Sequence, residues 1–364
     1  LDISRIAKKY FKTREVKTNA GLEVPVVAVG KLGYPDLAEK AIRDGMCDLV
    51  MLGRPLLADP DWCRKAYAGE VERIRPCIGC QEGCINEFVE GGHPQCAVNP
   101  RTGFEDVIPE TLPRAENTKK IAVVGAGPSG MQFALTASAR GHQVTLIERE
   151  KILGGKVVPG SRPKIKFDFK NYLEYLIREV HLAEEKGGLT VCTGVEADTQ
   201  WLKEQNFDAI VYNIGTTSVV PKIPGVDQAD WVQATDLLCE PEKLGKAKKT
   251  VVIGGGVVGC ETAYWLKYEK GCDVTVVEML PYIMSGACTA NRYHLIHYME
   301  KAGVQLLNCA KVTGFTKGSV QIEKNISKGV PDPYNTWQPQ LPENIANPLA
   351  KKIGPETENQ ELPA

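Results

Sequence analysis

Ile121-Ala122-Val123-Val124-Gly125-Ala126-Gly127-Pro128-Ser129-Gly130 is the stretch that decides the fold. An unbroken apolar run, the pattern of a buried parallel strand, leads straight into G-x-G-x-x-G. An Ala-rich helix follows from Met131 to Arg140, Gly141 ends it, and residues 144–148 (VTLIE) form a second strand. Each glycine has a separate role. Gly125 permits the tight turn, Gly127 lets the backbone approach a pyrophosphate, and Gly130 lets the helix pack close to the strand. The helix N-terminus then faces the phosphate. Glu148 closes the second strand, where a carboxylate would accept from an adenosine ribose hydroxyl. The bland alternative is a structural glycine turn. Strand, helix and distal acid are all present, so a dinucleotide is expected, and Gly155 is counted among the cofactor-binding glycines.

The pattern recurs about 130 residues on, too long a period for a solenoid repeat. Residues 251–259 (VVIGGGVVG) are strand and turn, residues 260–268 a helix, and residues 274–278 (VTVVE) the second strand. Gly254, Gly256 and Gly259 stand in the glycine positions and Glu278 in the acidic one. An acid there repels a 2′-phosphate, so NADH is expected over NADPH; the alternative is a degenerate, empty unit. Glu261 reads as an early-helix acid favoured by the dipole, not as a catalytic base. Between the units lie a helix over 168–186, with Tyr172, Leu173, Leu176, Ile177 and Val180 on one face, and short strands at 189–192 and 208–214. Beyond Glu278 a helix is expected over 289–301 and a strand over 304–307. Two dinucleotide units in series suggest FAD in the first and NADH in the second. No C-x-x-C lies between Glu148 and Thr250, which argues against a disulfide exchanger.

Upstream, Cys77, Cys80, Cys84 and Cys96 read C-x2-C-x3-C-x11-C. Four thiolates this close can meet at one centre, and the spacing leaves an iron–sulfur cluster and structural zinc both open. The neighbours favour the cluster. A flavin takes two electrons from NADH, and a cluster passes them on singly. Before the cysteines, residues 24–30 (VPVVAVG) and 48–52 (DLVML) read as buried parallel strands around a helix that Pro35 opens and Gly45 stops. A closed (β/α)8 barrel needs about 250 residues, and 76 precede Cys77. Gly30 and the pair Gly53-Arg54 close these strands on the face where barrels bind phosphate; the alternative is a surface arginine beside a turn glycine. Residues 97–118, polar and rich in Pro, Arg and Glu, suggest a linker.

Composition is that of a globular protein, 43% hydrophobic and 24% charged, and a formal charge of −1 gives no basic field for nucleic acid or anionic membrane. No run reaches transmembrane length and no signal peptide opens the chain. The other eight cysteines (47, 63, 192, 239, 260, 272, 288, 309) are scattered, which fits a reducing cytoplasm better than a disulfide framework. The five histidines show no ligand grouping; His294 and His297 share a helix face as a packed or solvated pair.

Taken together, GKLGYPD (30–36), GMCDLVMLGRPLLADPDW (45–62), RPCIGCQEGC (75–84), CAVNP (96–100) and the two glycine turns closely resemble the multidomain FMN/iron–sulfur/FAD reductases. That group includes 2,4-dienoyl-CoA reductase, 2-enoate reductase, the bile-acid-inducible NADH:flavin oxidoreductases and trimethylamine dehydrogenase. The resemblance implies an α/β architecture in five segments. Residues 1–72 would be the C-terminal part of an Old-Yellow-Enzyme-type FMN barrel, and 73–118 a [4Fe-4S] segment and linker. Residues 119–249 would bind FAD and 250–325 NAD(H), with an irregular tail over 326–364. It implies that Gly30, Gly53 and Arg54 hold the FMN phosphate and that Cys77, Cys80, Cys84 and Cys96 hold the cluster. Electrons would pass from NADH through FAD, cluster and FMN to an activated C=C bond of a small-molecule substrate.

Departures from the pattern matter. Most of the barrel, with the catalytic residues, and the C-terminal return to the FAD domain have no counterpart here, and residues 213–215 read Asn-Ile-Gly where the family has A-T-G. The resemblance therefore implies an internal fragment of a longer reductase, inactive alone on its substrate, with a homo-oligomer left open. Two alternatives stand beside it. One is an amine dehydrogenase of the trimethylamine type, passing electrons to a carrier protein; the other is a non-catalytic electron-transfer or zinc-stapled module.

Overall fold

The structure, a computed structural model, describes residues 1–89, 91–337 and 345–364. It divides into two compact units: residues 1–87, 93–153 and 171–212, and residues 88–92, 154–170 and 213–364.

In the first unit, β1 (Val27–Val29) and β2 (Leu49–Met51) pair in parallel, with Val27 opposite Leu49 and Val29 opposite Met51. The helix Pro35–Arg43 joins them. Pro35 sits at its start, where a missing N–H costs nothing, and Lys40 and Arg43 complement the dipole in its last turn. Ala28, Leu32, Ala41 and Cys47 form the small core beneath. These strands are shorter than the apolar runs suggested and are not buried on both faces. Val29 is 70% and Met51 57% exposed, because one helix layer covers only one face of the pair.

Four parallel strands make the larger sheet of this unit: β3 (Lys120–Val124), β4 (Gln143–Glu148), β5 (Leu189–Thr193) and β6 (Ala209–Tyr212). Their order is β5-β4-β3-β6. The chain steps outward from β3 to β5 and then crosses back to β6, so the order reverses beside β3. Open α/β sheets bind ligands at the carboxyl end of such a switch point, and the first glycine turn lies there. The helix Pro128–Ala139 buries Met131 together with Gly130, Ala134 and Ala137, small residues at three- and four-residue spacing that let its backbone come close to the sheet. The expected linker is only partly one. Val98, Asn99 and Thr102 are buried, and Asn99 Nδ2 and Thr102 Oγ1 both donate to the Leu57 carbonyl, at 2.8 and 2.7 Å. Its polar residues are spent on buried backbone, not on solvent.

The second unit repeats the layout with β7 (Lys249–Ile253), β8 (Asp273–Val277) and β9 (Gln305–Leu307), parallel and in that order. The helices Val257–Tyr268 and Thr289–Ala302 bury Cys260, Trp265, Leu266, Ile296 and Met299 in its core. An antiparallel sheet follows: β10 (Ala310–Thr316), β11 (Ser319–Asn325) and β12 (Thr357–Pro363). A two-residue turn, Lys317-Gly318, joins the first pair, with Gly318 at φ +82°.

The expectation of an irregular tail over 326–364 is corrected here; residues 338–344 of it lie outside the described residues. β12 pairs along its length with β11, Ser319 opposite Pro363 and Asn325 opposite Thr357. It is an edge strand with mostly exposed side chains, so it carries no apolar alternation to betray it. The tail is also pinned before that strand. The buried Arg292 donates to the carbonyls of Ile283, Thr336 and Asn335 at 2.8, 2.8 and 2.9 Å, and Tyr334 Oη donates to Val304 O at 2.8 Å. No described helix is long and apolar enough to cross a membrane.

Candidate functional site

The two glycine turns are built alike. Gly125 and Gly254 adopt φ +99° and +102°, and their N–H groups donate to Ile147 O and Val277 O on the neighbouring strands. A side chain at either position would strain the turn. Gly127 and Gly256 are the extended N-caps of the helices Pro128–Ala139 and Val257–Tyr268, and neither helix has a side-chain cap. A Cβ on either glycine would meet no protein atom within 4 Å. Open space before uncapped N–H groups at a positive helix end is what a pyrophosphate needs. Gly259 shows why the third position must be glycine, since a Cβ there would lie 1.9 Å from the Gly254 carbonyl oxygen. Gly130 is buried at the corresponding place in the first turn.

The strand-end acids are also duplicated. Glu148 accepts from the Ala126 N–H at 2.8 Å and the Glu150 N–H at 3.0 Å, one on each oxygen. Glu278 accepts from the Gly255 and Leu280 N–H groups, both at 2.7 Å. Each carboxylate therefore ties its glycine turn to the loop after the second strand. Each oxygen keeps lone-pair capacity toward a ribose hydroxyl. Because Glu148 is buried, Glu148→Ala leaves two backbone donors without a charged acceptor. We expect it to cost about 2–3 kcal/mol, read as a lowered denaturation midpoint, with Glu148→Gln costing less. Equal midpoints for all three proteins would show that this carboxylate does not brace the turn. Gly155, at φ +51°, lies in the second unit, where its carbonyl accepts from the Val158 N–H.

Cys77, Cys80, Cys84 and Cys96 line one cavity, with Arg54, Leu57, Gln81, Gln95 and Val98 among its other walls. Cys84 comes from a π-helical turn, Glu82–Asn86, entered through Gln81 in the left-handed conformation. The Gly79 N–H donates to Cys77 Sγ at 3.4 Å. Burial pushes the Cys80 thiol up; the Glu82 N–H opposes this, and Cys84, Cys77 and Cys96 are near enough to add to it. None of the four is in a disulfide. Among the described residues, no three His, Cys, Asp or Glu side chains converge as ligands of a single ion. Tetrahedral zinc, with Zn–S of about 2.3 Å, needs sulfurs drawn onto one point. Four thiols lining one cavity are the donor set that an iron–sulfur group takes.

Gly53 caps the helix Arg54–Ala58, and Gly30, at φ +107°, follows β1; both have open space where a Cβ would be. Arg54, expected on a phosphate, also borders the cysteine cavity.

The family description "Pyridine nucleotide-disulphide oxidoreductase" matches residues 119–330, with an overlapping match over 104–161. The chain belongs to the pyridine nucleotide-disulphide oxidoreductase family. As a member it is 39% identical over 286 residues to an NADH oxidase of Thermoanaerobacter brockii, covering 78% of this chain and 43% of that one. It is 37% identical over 311 residues to a bilirubin reductase of Mediterraneibacter gnavus, covering 85% and 47%. Among solved structures it resembles a 2-naphthoyl-CoA reductase in complex with 2-naphthoyl-CoA. The TM-score is 0.79 at 29% identity, over 86% of this chain and 46% of that one. The chain thus spans about half the length of the curated relatives it matches. These likenesses bear out the resemblance to the enoate-reductase type.

Some interactions in this chain had no local signal. Glu261, read as a dipole-favoured acid, accepts a 2.6 Å ion pair from Lys166, whose ammonium also lies 4.1 Å from the Phe169 ring centroid. A separation of 95 residues hides that pair from sequence. Asp59, also unremarked, accepts from the Arg75 N–H at 2.7 Å and from Lys65 Nζ at 2.6 Å, fixing the chain two residues before Cys77. His294 and His297 stack on Tyr298 and Tyr293, centroids 6.2 Å apart in both pairs.

Proposed function

We propose that this chain is the electron-delivering part of an NADH-dependent flavin/iron–sulfur reductase acting on an activated C=C bond of an enoate, enoyl-CoA or enone. The observation that carries the reading is the four-cysteine cavity in a chain that also holds two equivalent dinucleotide turns. When bound, FAD, a [4Fe-4S] cluster and FMN would carry electrons from NADH to that bond.

The residues divide accordingly. Gly125, Gly127 and Gly130 with Glu148 would seat the FAD diphosphate and ribose, and Gly155 is kept among the cofactor-binding glycines. Gly254, Gly256 and Gly259 with Glu278 would seat NADH, the acid discriminating against a 2′-phosphate. Cys77, Cys80, Cys84 and Cys96 would supply the thiolates. Gly30 and Gly53, with Arg54, would offer N–H groups and a guanidinium to the FMN phosphate. The expected segments, from the barrel part (1–72) to the NAD(H) part (250–325), carry over as the division of labour. The formal charge of −1 supports a small-molecule partner over nucleic acid or membrane. Scattered cysteines, none in a disulfide, support a cytoplasmic location. The intact second turn with Glu278 favours the reductase over the amine-dehydrogenase reading.

The test is the 364-residue chain purified without oxygen. We expect iron and acid-labile sulfide, a broad absorbance shoulder near ~400 nm that dithionite bleaches, and tighter binding of NADH than of NADPH. A colourless protein that holds zinc instead of iron would sink the reading.

A further inference from the structure

We propose that Arg75 is a positioning residue of the four-cysteine centre, supplying the positive charge that favours its reduced state. This rests on the cluster reading above. Arg75 stands two residues before Cys77, and its backbone is held by the buried carboxylate of Asp59. Its side chain turns to a pair of buried tyrosines on the helix Phe167–Glu185. The guanidinium carbon lies 6.0 Å from the Tyr175 ring centroid, and Tyr172 stacks on Tyr175 at 6.2 Å and 24°. Burial pushes the Tyr172 phenol up to about 12, and the Arg75 guanidinium opposes that shift. Arg75, Tyr175 and Tyr172 thus form one run of neighbours that starts two residues before the first of the four cysteines.

Two features mark this guanidinium as more than packing. Its Nε is buried and finds no hydrogen-bond acceptor among the described residues. The nearby carboxylates are shared: Asp59, which acts on the Arg75 charge, is ion-paired with Lys65 at 2.6 Å, while the neighbouring Arg73 is paired bidentately with Glu179 at 3.2 Å. The helix is held in place by that pair and by Arg178, which donates to Glu72 O at 2.7 Å. A half-buried cation two residues before the first of four thiolates, with its nearby acid shared with Lys65, lowers the cost of adding one more negative charge to the group they hold. Local net charge and hydrogen bonding set the potential of such groups. The sequence offers RPC; only the tertiary contacts show that the nearby acids are ion-paired with other cations.

The experiment is a redox titration of the 364-residue chain and its Arg75→Met and Arg75→Lys variants, followed by electron paramagnetic resonance, with iron and sulfide assayed in each. In Arg75→Met we expect iron to be retained. The reduced-to-oxidised ratio at a fixed poise should fall about tenfold, or ~59 mV for a one-electron couple. Arg75→Lys should keep most of the wild-type potential. An unchanged potential in an iron-replete Arg75→Met overturns the proposal. If Arg75→Met loses iron, Arg75→Lys decides: wild-type iron and potential support the charge role, and loss of either removes it. Absence of iron from the wild-type chain would instead be the failure of the cluster reading itself.

Discussion

Replacing Gly259 with alanine is expected to destabilise the second unit by about 3 kcal/mol and to weaken NADH binding at least tenfold. The cause is a single contact. The added Cβ would stand 1.9 Å from the Gly254 carbonyl oxygen, a separation no real Cβ tolerates. That oxygen belongs to the turn itself, where Gly254 sits at φ +102° with its N–H donated to Val277 O at 2.9 Å, so it has little freedom to withdraw. The helix Val257–Tyr268 must therefore lift, and with it the buried Cys260, Ala263 and Trp265. The uncapped N–H groups behind Gly256 would leave the phosphate position with it. Denaturation followed by tryptophan fluorescence reads the first effect, because Trp265 is 1% exposed. Titration with NADH reads the second. Gly160→Ala is the control, since a Cβ there meets nothing within 4 Å. A Gly259→Ala protein as stable as that control would mean that the turn and helix do not meet as described.

Cys84→Ala is expected to abolish iron binding while leaving the second unit folded. A cluster held by four thiolates loses a bond and a charge when one is removed, and methyl offers no donor in its place. Cys84 also has no spare neighbour: the remaining cysteines of the cavity are the other three of the set. The exposed Cys63 lies outside that cavity, so Cys63→Ala should keep full iron and sulfide. NADH binding, placed on the second unit, should persist in both variants. Iron in Cys84→Ala equal to wild type would take this residue out of the ligand set and reopen the assignment of the cavity.

Much of this molecule was legible along the chain because the deciding interactions are local. An apolar run closed by glycine folds into strand and turn whatever surrounds it, so β3, β4, β7 and β8, and the helices behind their turns, fall within a few residues of expectation. The same holds for the cysteine set, whose members lie within 20 residues of one another. What tertiary structure alone decided is where polar groups find partners far away. Glu148 and Glu278 were placed as ribose acceptors; folding shows that each also braces its own glycine turn. The polar stretch after Cys96 read as linker, yet Asn99 and Thr102 are buried on the Leu57 carbonyl. β12, polar and closed by Pro363, acquires strand geometry only from β11. Arg75 and Glu261 carry no periodic signal at all. A charged side chain's role is set by which groups around it are already paired, and that is a property of the fold, not of the local chain.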